Sequence, residues 1–163
     1  MTTFIATKDY LAADRGVALN GMVYHDSKIR TINDRVGYFF GERFPCDEER
    51  RLLEKHLYRY LFGAKEHRPD ALIALSPILG ENTLFAMTRK VSLQFEKDTT
   101  DESIIRVFNH GLQTPVVFGS GGDLATVGWA CGQSPENIIL TVQEIDFLSS
   151  GGVDVIYREA LKK

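Results

Sequence analysis

Residues 3 to 41 carry their apolar side chains only in short runs, each closed by a small polar turn, and this rules out a helical start. The runs are Thr3-Phe4-Ile5-Ala6, Tyr10-Leu11-Ala12-Ala13, Val17-Ala18-Leu19, Met22-Val23-Tyr24 and the alternating Lys28-Ile29-Arg30-Thr31-Ile32. Thr7-Lys8-Asp9, Asn20-Gly21 and Asn33-Asp34 are the turns between them, and Asn-Gly is a strong tight-hairpin signal. Val36-Gly37-Tyr38-Phe39-Phe40-Gly41 is apolar enough to be a strand buried on both faces.

At Asp47 the period changes. Asp47-Glu48-Glu49 gives a helix its acidic first turn, Leu53, Leu57 and Tyr60/Leu61 recur at helical spacing, and Gly63 ends it. Arg68-Pro69-Asp70 reads as a turn, with strands expected at 71–75, 83–89 and 91–95, a polar loop at 96–102 and a strand at 114–118. That last strand runs into Gly119-Ser120-Gly121-Gly122. One helix follows, marked by Leu124, Val127 and Cys131. A second opens on Ser134-Pro135-Glu136, an N-cap with proline at the first helical position, and carries Ile138, Val142 and Ile145 on one face. Ser149-Ser150-Gly151-Gly152 stops it before a final strand at 153–157. Strands, helix, strands, two helices and strand, in a chain of 163 residues with no linker or repeat, make one α+β layered domain over 1–163.

Charge narrows the function. Lys and Arg number 19 against 22 Asp and Glu, a net charge of −3 with no basic stripe, so nucleic acid is not an expected partner. The apolar runs are too short to cross a bilayer and the N-terminus lacks the pattern of a secretory signal, so no membrane partner is expected and the expected location is cytoplasmic. Cys46 and Cys131 form no framework and are expected as small core residues in a reducing compartment. His25, His56, His67 and His110 are scattered without metal-ligand spacing, so neither a metal nor another cofactor is expected. Aromatic residues at 39, 40, 44, 58 and 60 exceed what one sandwich should hide, which points to an oligomer.

Two features carry chemistry. In Gly119-Ser120-Gly121-Gly122 the residue two before the serine is Phe118, which excludes a nucleophile elbow, and Asp123-Leu124 excludes a phosphate loop. A glycine turn from strand to helix remains, where backbone can approach a neighbour closely. The second feature is the chain start. Removal of Met1 would leave Thr2 with a hydroxyl and a free α-amine on one residue, a nucleophile with its own base.

Met1-Thr2-Thr3-Phe4-Ile5-Ala6, Ala12-Ala13-Asp14-Arg15, Ser27-Lys28-Ile29, Gly119-Ser120-Gly121-Gly122 and Asp146 followed by Ser149-Ser150-Gly151-Gly152 occur in that order. The series resembles the proteasome β subunits and their bacterial relative, the HslV peptidase, over nearly the whole chain. The resemblance implies a four-layer α/β/β/α sandwich of the N-terminal-nucleophile (Ntn) hydrolase type and a threonine endopeptidase subunit of a ring-shaped, self-compartmentalised protease. It also implies peptide or unfolded-protein substrates, other copies of the chain in a ring or stacked double ring, and a AAA+ unfoldase as partners, with no cofactor.

Position by position, Thr2 matches the nucleophile and its amine the general base. Asp14 matches the acid that orients a lysine, and Lys28 that lysine, whose charge lowers the pKa of the groups beside it. Ser120 matches the serine near the terminal amine, and Asp146 with Ser149 or Ser150 the pair that completes its network. Gly41 matches the glycine whose N–H forms the oxyanion hole. A hairpin with Thr2 opposite Asp14 would centre its turn on Lys8, and one bringing Asp14 near Lys28 would centre on about Gly21; both positions carry turn residues. That register puts Thr2 and Asp14 on one face and Thr3 on the other. The segment from Asp146 to Gly151-Gly152 is one residue longer than in the family, so Ser149 and Ser150 compete for one role. The alternative is a non-catalytic ring or shell subunit of the same fold, favoured by retention of Met1 and by the bulky Phe39-Phe40.

Overall fold

Thr7 sets the first hairpin. Its Oγ1 accepts hydrogen bonds from the N–H groups of Asp9 and Tyr10, both at 3.2 Å, and its own N–H donates to the Tyr10 carbonyl at 2.9 Å. The loop is therefore Lys8-Asp9 alone, joining β1 (Phe4–Ala6) to β2 (Tyr10–Asp14). The fold is that of a computed structural model describing residues 2–19, 22–41, 46–101, 103–146 and 149–163.

β3 (Gly16–Leu19) and β4 (Met22–His25) form a separate hairpin that pairs Leu19 with Met22. The expected Asn20-Gly21 turn falls between them, outside the described residues. β5 (Ile29–Ile32), β6 (Val36–Phe40), β7 (Leu84–Met87), β8 (Ser92–Lys97) and β9 (Ile105–Asn109) make a five-stranded antiparallel sheet in chain order. β10 (Val116–Phe118) and β11 (Val153–Tyr157) join the first hairpin in a four-stranded antiparallel sheet of order β10-β1-β2-β11.

The helices cover the outer faces. α1 (Asp47–Phe62) and α2 (Arg68–Leu79) bury Leu53, Leu57, Leu75 and Leu79 against Tyr38, Leu84 and Phe95 of the five-stranded sheet. α3 (Gly122–Ala130) and α4 (Pro135–Ile145) bury Ala125, Ile138, Ile139 and Val142 against Ile5 and Ala12 of the four-stranded sheet. Between the sheets lie Phe4, Leu11, Ile29, Phe39, Phe85 and Met87, with the Phe4 and Phe39 rings stacked at 4.1 Å between centroids. Three cores separate four layers, and the architecture is the α/β/β/α sandwich. Each large side chain fully buried in those cores contributes about 1.5–3 kcal/mol.

The fold corrects several local readings. Residues 71–75 belong to α2, not to a strand, because Pro69 stands in the first turn and Ala71, Leu75 and Leu79 recur four apart on the buried face. β9 lies in a stretch the sequence left unassigned, and β8 runs on through Glu96 and Lys97. α3 turns Gly122 and Ala125 inward and leaves Leu124 and Val127 exposed, since only small residues fit where the helix lies close on β1 and β10. Ile145 is exposed, and so are both cysteines. Phe39 and Phe40 are buried and Tyr58 and Tyr60 pack against the core, so these aromatics give no surface for an oligomer; Phe44 lies outside the described residues.

Candidate active site

Asp14 ends β2 with its carboxylate fully buried and three donors on it. Oδ1 accepts from the Thr3 N–H at 2.9 Å and from Lys28 Nζ at 2.8 Å, and Oδ2 accepts from the Ser150 N–H at 3.2 Å. Charge-assisted bonds of this kind are short and directional, and they fix the carboxylate in one orientation. Lys28, just before β5, is brought from the second sheet to the end of the first, its side chain only 10% exposed. Burial pushes its pKa below the ordinary lysine value, while the bond and charge of Asp14 pull it back up.

A second chain of bonds starts on the other side of residue 3. Thr3 Oγ1 and Ser149 Oγ lie 2.5 Å apart, Ser149 Oγ donates to Asp146 Oδ2 at 3.1 Å, and Ser120 Oγ donates to the same oxygen at 2.6 Å. Asp146 caps α4, its N–H on the Val142 carbonyl at 2.7 Å, and Ser120 sits on the turn from β10 into α3. Four sequence segments far apart in the chain thus converge on its first residues.

The glycine turn is shaped by the same residues. Gly119 has φ +91° and its α-hydrogen faces the Thr2 carbonyl, which a Cβ there would overlap. A Cβ on Gly121 would overlap the Thr3 hydroxyl. Thr2 itself, half-buried, precedes β1.

The structure brings Asp14, Lys28, Ser120, Asp146, Ser149 and Ser150 around the chain start, and it separates the two competing serines. The Ser149 hydroxyl is in the network, whereas Ser150 supplies its backbone N–H to Asp14. Two geometric expectations change. The register pairs Phe4 with Ala13, so Asp14 faces Thr3 and not Thr2. The two-residue loop fixed by Thr7 is the cause, and a threonine whose hydroxyl can cap its own turn is the signal that would have shown it. Gly41 is the other change: its N–H donates to the Thr83 carbonyl at 3.1 Å, continuing the β6–β7 ladder, and is not turned to an oxyanion. Thr3 was missed as a member of the network; its hydroxyl faces the α3 and α4 side, and strand alternation puts Thr2 with Phe4 on the face between the sheets.

Among the described residues no cluster of His, Cys, Asp and Glu is placed to hold a metal, and no helix is long and apolar enough to cross a membrane. No family model and no curated protein matches the sequence. Solved structures do match. A eukaryotic HslV from Trypanosoma brucei superposes with a TM-score of 0.59 at 20% identity, over 96% of this chain and 98% of that one. The Anbu (Gly-1) mutant from Hyphomicrobium sp. strain MC1 gives 0.60 at 10% identity, over 96% and 81%. Thiobacillus denitrificans BPH gives 0.53 at 12% identity, over 96% and 97%. The layers, the sheet orders and these superpositions together show that the chain has the Ntn-hydrolase fold of the HslV type.

Proposed function

We propose that the chain is a threonine endopeptidase subunit of a ring-shaped, self-compartmentalised protease, with Thr2 as nucleophile once Met1 is removed. The observation that carries this reading is the convergence at residue 3. The Asp14–Lys28 pair holds its N–H, and the Ser149–Asp146–Ser120 chain holds its hydroxyl. Both arrangements fix the backbone one residue after Thr2 and place charged and polar groups around it.

In this mechanism Thr2 Oγ attacks the peptide carbonyl and its proton passes to the α-amine of the same residue. The amine must be neutral to accept it, and the buried charge of Lys28 keeps it so near neutral pH. The amine then protonates the leaving nitrogen, and water releases the acyl group from the Thr2 ester. Thr3 is unsuited to the part: it is fully buried, its hydroxyl is committed to Ser149, and its nitrogen is an amide. No cofactor takes part. A cytoplasmic ring of such subunits would need unfolded substrate, which makes a AAA+ unfoldase the partner.

One observation favours a non-catalytic ring subunit instead, the engagement of the Gly41 N–H by Thr83. Intact mass and peptide hydrolysis on the same preparation separate the readings. The peptidase reading predicts loss of one methionine from the 18.3 kDa chain and turnover that Thr2→Ala reduces by at least about a hundredfold. A trimmed, folded protein whose hydrolysis is the same in wild type and Thr2→Ala contradicts it.

A further inference from the structure

Gly151 and Gly152 are looped out where β11 meets β2, beside the candidate site. The ladder pairs Val153 with Asp14, so an unbroken register would set Gly152 opposite Arg15. The Arg15 N–H instead donates to the Ser150 carbonyl at 3.1 Å. One step from Asp14 to Arg15 thus answers to three steps from Val153 back to Ser150, and the two glycines between, at φ +84° and +98°, form a bulge. Through this bulge Ser150 comes level with Asp14 and donates its N–H to Oδ2 at 3.2 Å. Ser149 beside it reaches both Thr3 Oγ1 and Asp146 Oδ2.

A bulge gives up ladder partners, and glycines have no side chains with which to hold it. Gln143, on α4, supplies the hold. Its Nε2 donates to the Gly152 carbonyl at 2.6 Å, and its Oε1 accepts from the Gly152 N–H at 3.4 Å. One side-chain amide thus pairs with both backbone groups of Gly152, as a facing strand residue would. Gln143 reaches the bulge because α4 packs on the outer face of the four-stranded sheet, with Ile139, one turn earlier, buried there beside Val153. On the other side the bulge rests on the β3–β4 hairpin. A Cβ on Gly16 would overlap the Ser150 hydroxyl, and a Cβ on Gly151 would crowd the His25 ring. Contact with the hairpin restricts where the bulge lies, and the Gln143 amide fixes how its backbone is turned.

We propose that Gln143 is a positioning residue of the candidate site: by pairing with Gly152 it holds the bulge so that the Ser149 hydroxyl reaches Thr3 and the Ser150 N–H reaches Asp14. Its part in catalysis rests on the peptidase reading; its hold on the bulge does not. Both are tested on the full-length protein with Gln143→Met, which keeps the length of the side chain and removes both bonds. Hydrogen exchange followed by NMR should show the Ser150 amide exchanging about tenfold faster or more, with the Phe95 amide of the other sheet unchanged. Peptide hydrolysis should show kcat lowered about tenfold and KM within about twofold of wild type, because α4 lies across the sheet from the face that Thr2 shares with Phe4. In a Ser149→Ala background the same substitution should cost less, since part of what Gln143 positions is already gone. Unchanged Ser150 exchange in folded Gln143→Met overturns the proposal. So does faster exchange with wild-type kcat, a loss confined to KM, or a loss of equal size with and without the Ser149 hydroxyl. Should Gln143→Met unfold by circular dichroism, Gln143→Glu carries the test. It keeps an acceptor for the Gly152 N–H and sets an oxygen against the Gly152 carbonyl, so exchange and kcat should move the same way, and no change in either overturns the proposal. Wild-type protein that hydrolyses no peptide defeats the peptidase reading alone, and Ser150 exchange then decides the hold of Gln143 by itself.

Discussion

Lys28 is the side chain on which the proposed chemistry depends most. Its folded-state pKa lies below the ordinary 10.5 because burial outweighs the attraction of Asp14. The unfolded chain therefore holds this proton more tightly, so the charged lysine costs stability below the folded pKa, and the cost disappears as pH rises toward 10.5. Stability measured by denaturant should rise through that alkaline window, and Lys28→Met should flatten the rise. Activity moves the other way: turnover should fall through the same window, below 10.5, as Lys28 loses the charge that tunes the Thr2 amine. Lys28→Ala should lower turnover by about a hundredfold or more while the protein stays folded, which parallel rate and melting measurements check. Gly119 gives a complementary prediction. Alanine there meets both the positive φ and the Thr2 carbonyl, so Gly119→Ala should cost at least about 1–3 kcal/mol in chemical denaturation. That Asp14, Lys28, Ser120, Asp146, Ser149 and Ser150 meet in space was legible because each belongs to an ordered series of short motifs, whereas Gly41 lies outside that series. The facing of Thr3 and Asp14 was not, because it depends on a single hydroxyl choosing its turn.

At the level of elements, strands divided by tight turns were readable where the pattern was local. The β3–β4 pairing of Leu19 with Met22 leaves the two residues of the Asn-Gly signal between its strands. α1 and α4 were readable from their caps and periodicity. α2 was not, since a continuous Ala-Leu-Ile-Ala-Leu run has no polar face to reveal its period, and Pro77 within it argues against a helix until tertiary packing decides. The hold between the sheets was also invisible in the sequence. Arg158, after β11, donates from Nε to the Lys8 carbonyl, from Nη1 to the Thr88 carbonyl at 2.7 Å, and from Nη2 to Ser92 Oγ, so one guanidinium joins the turns of both sheets. Arg158→Met should lower stability by about 1.5–3 kcal/mol, read as a shift in denaturation midpoint with an unchanged slope.

For the whole molecule, the four layers follow from which elements have one apolar face and which have two. Composition alone does not supply that distinction. The buried set Phe4, Phe39, Phe85 and Met87 does, because it needs a sheet on either side. A ring would draw on different residues from those the sequence suggested. Ile145, Val127 and Leu140 are 62%, 60% and 48% exposed on α3 and α4, and such side chains favour contact with another surface. The ring proposal predicts a sedimenting species well above 18.3 kDa at micromolar concentration, and the monomer alone would remove it.

The central claim is that the hydroxyl of Thr2, and no other, is activated by a free amine on its own residue. Treatment of the trimmed protein with a β-lactone or epoxyketone, followed by peptide mapping, tests it most directly. The account predicts one adduct, on Thr2, absent in Thr2→Ala and retained in part in Thr2→Ser, where the hydroxyl survives without the methyl that fixes its rotamer. Thr3 is the internal control, with the same hydroxyl buried against Ser149 and no free amine. An adduct on Thr3, Ser120 or a cysteine, or none on folded and fully trimmed protein, would contradict the account.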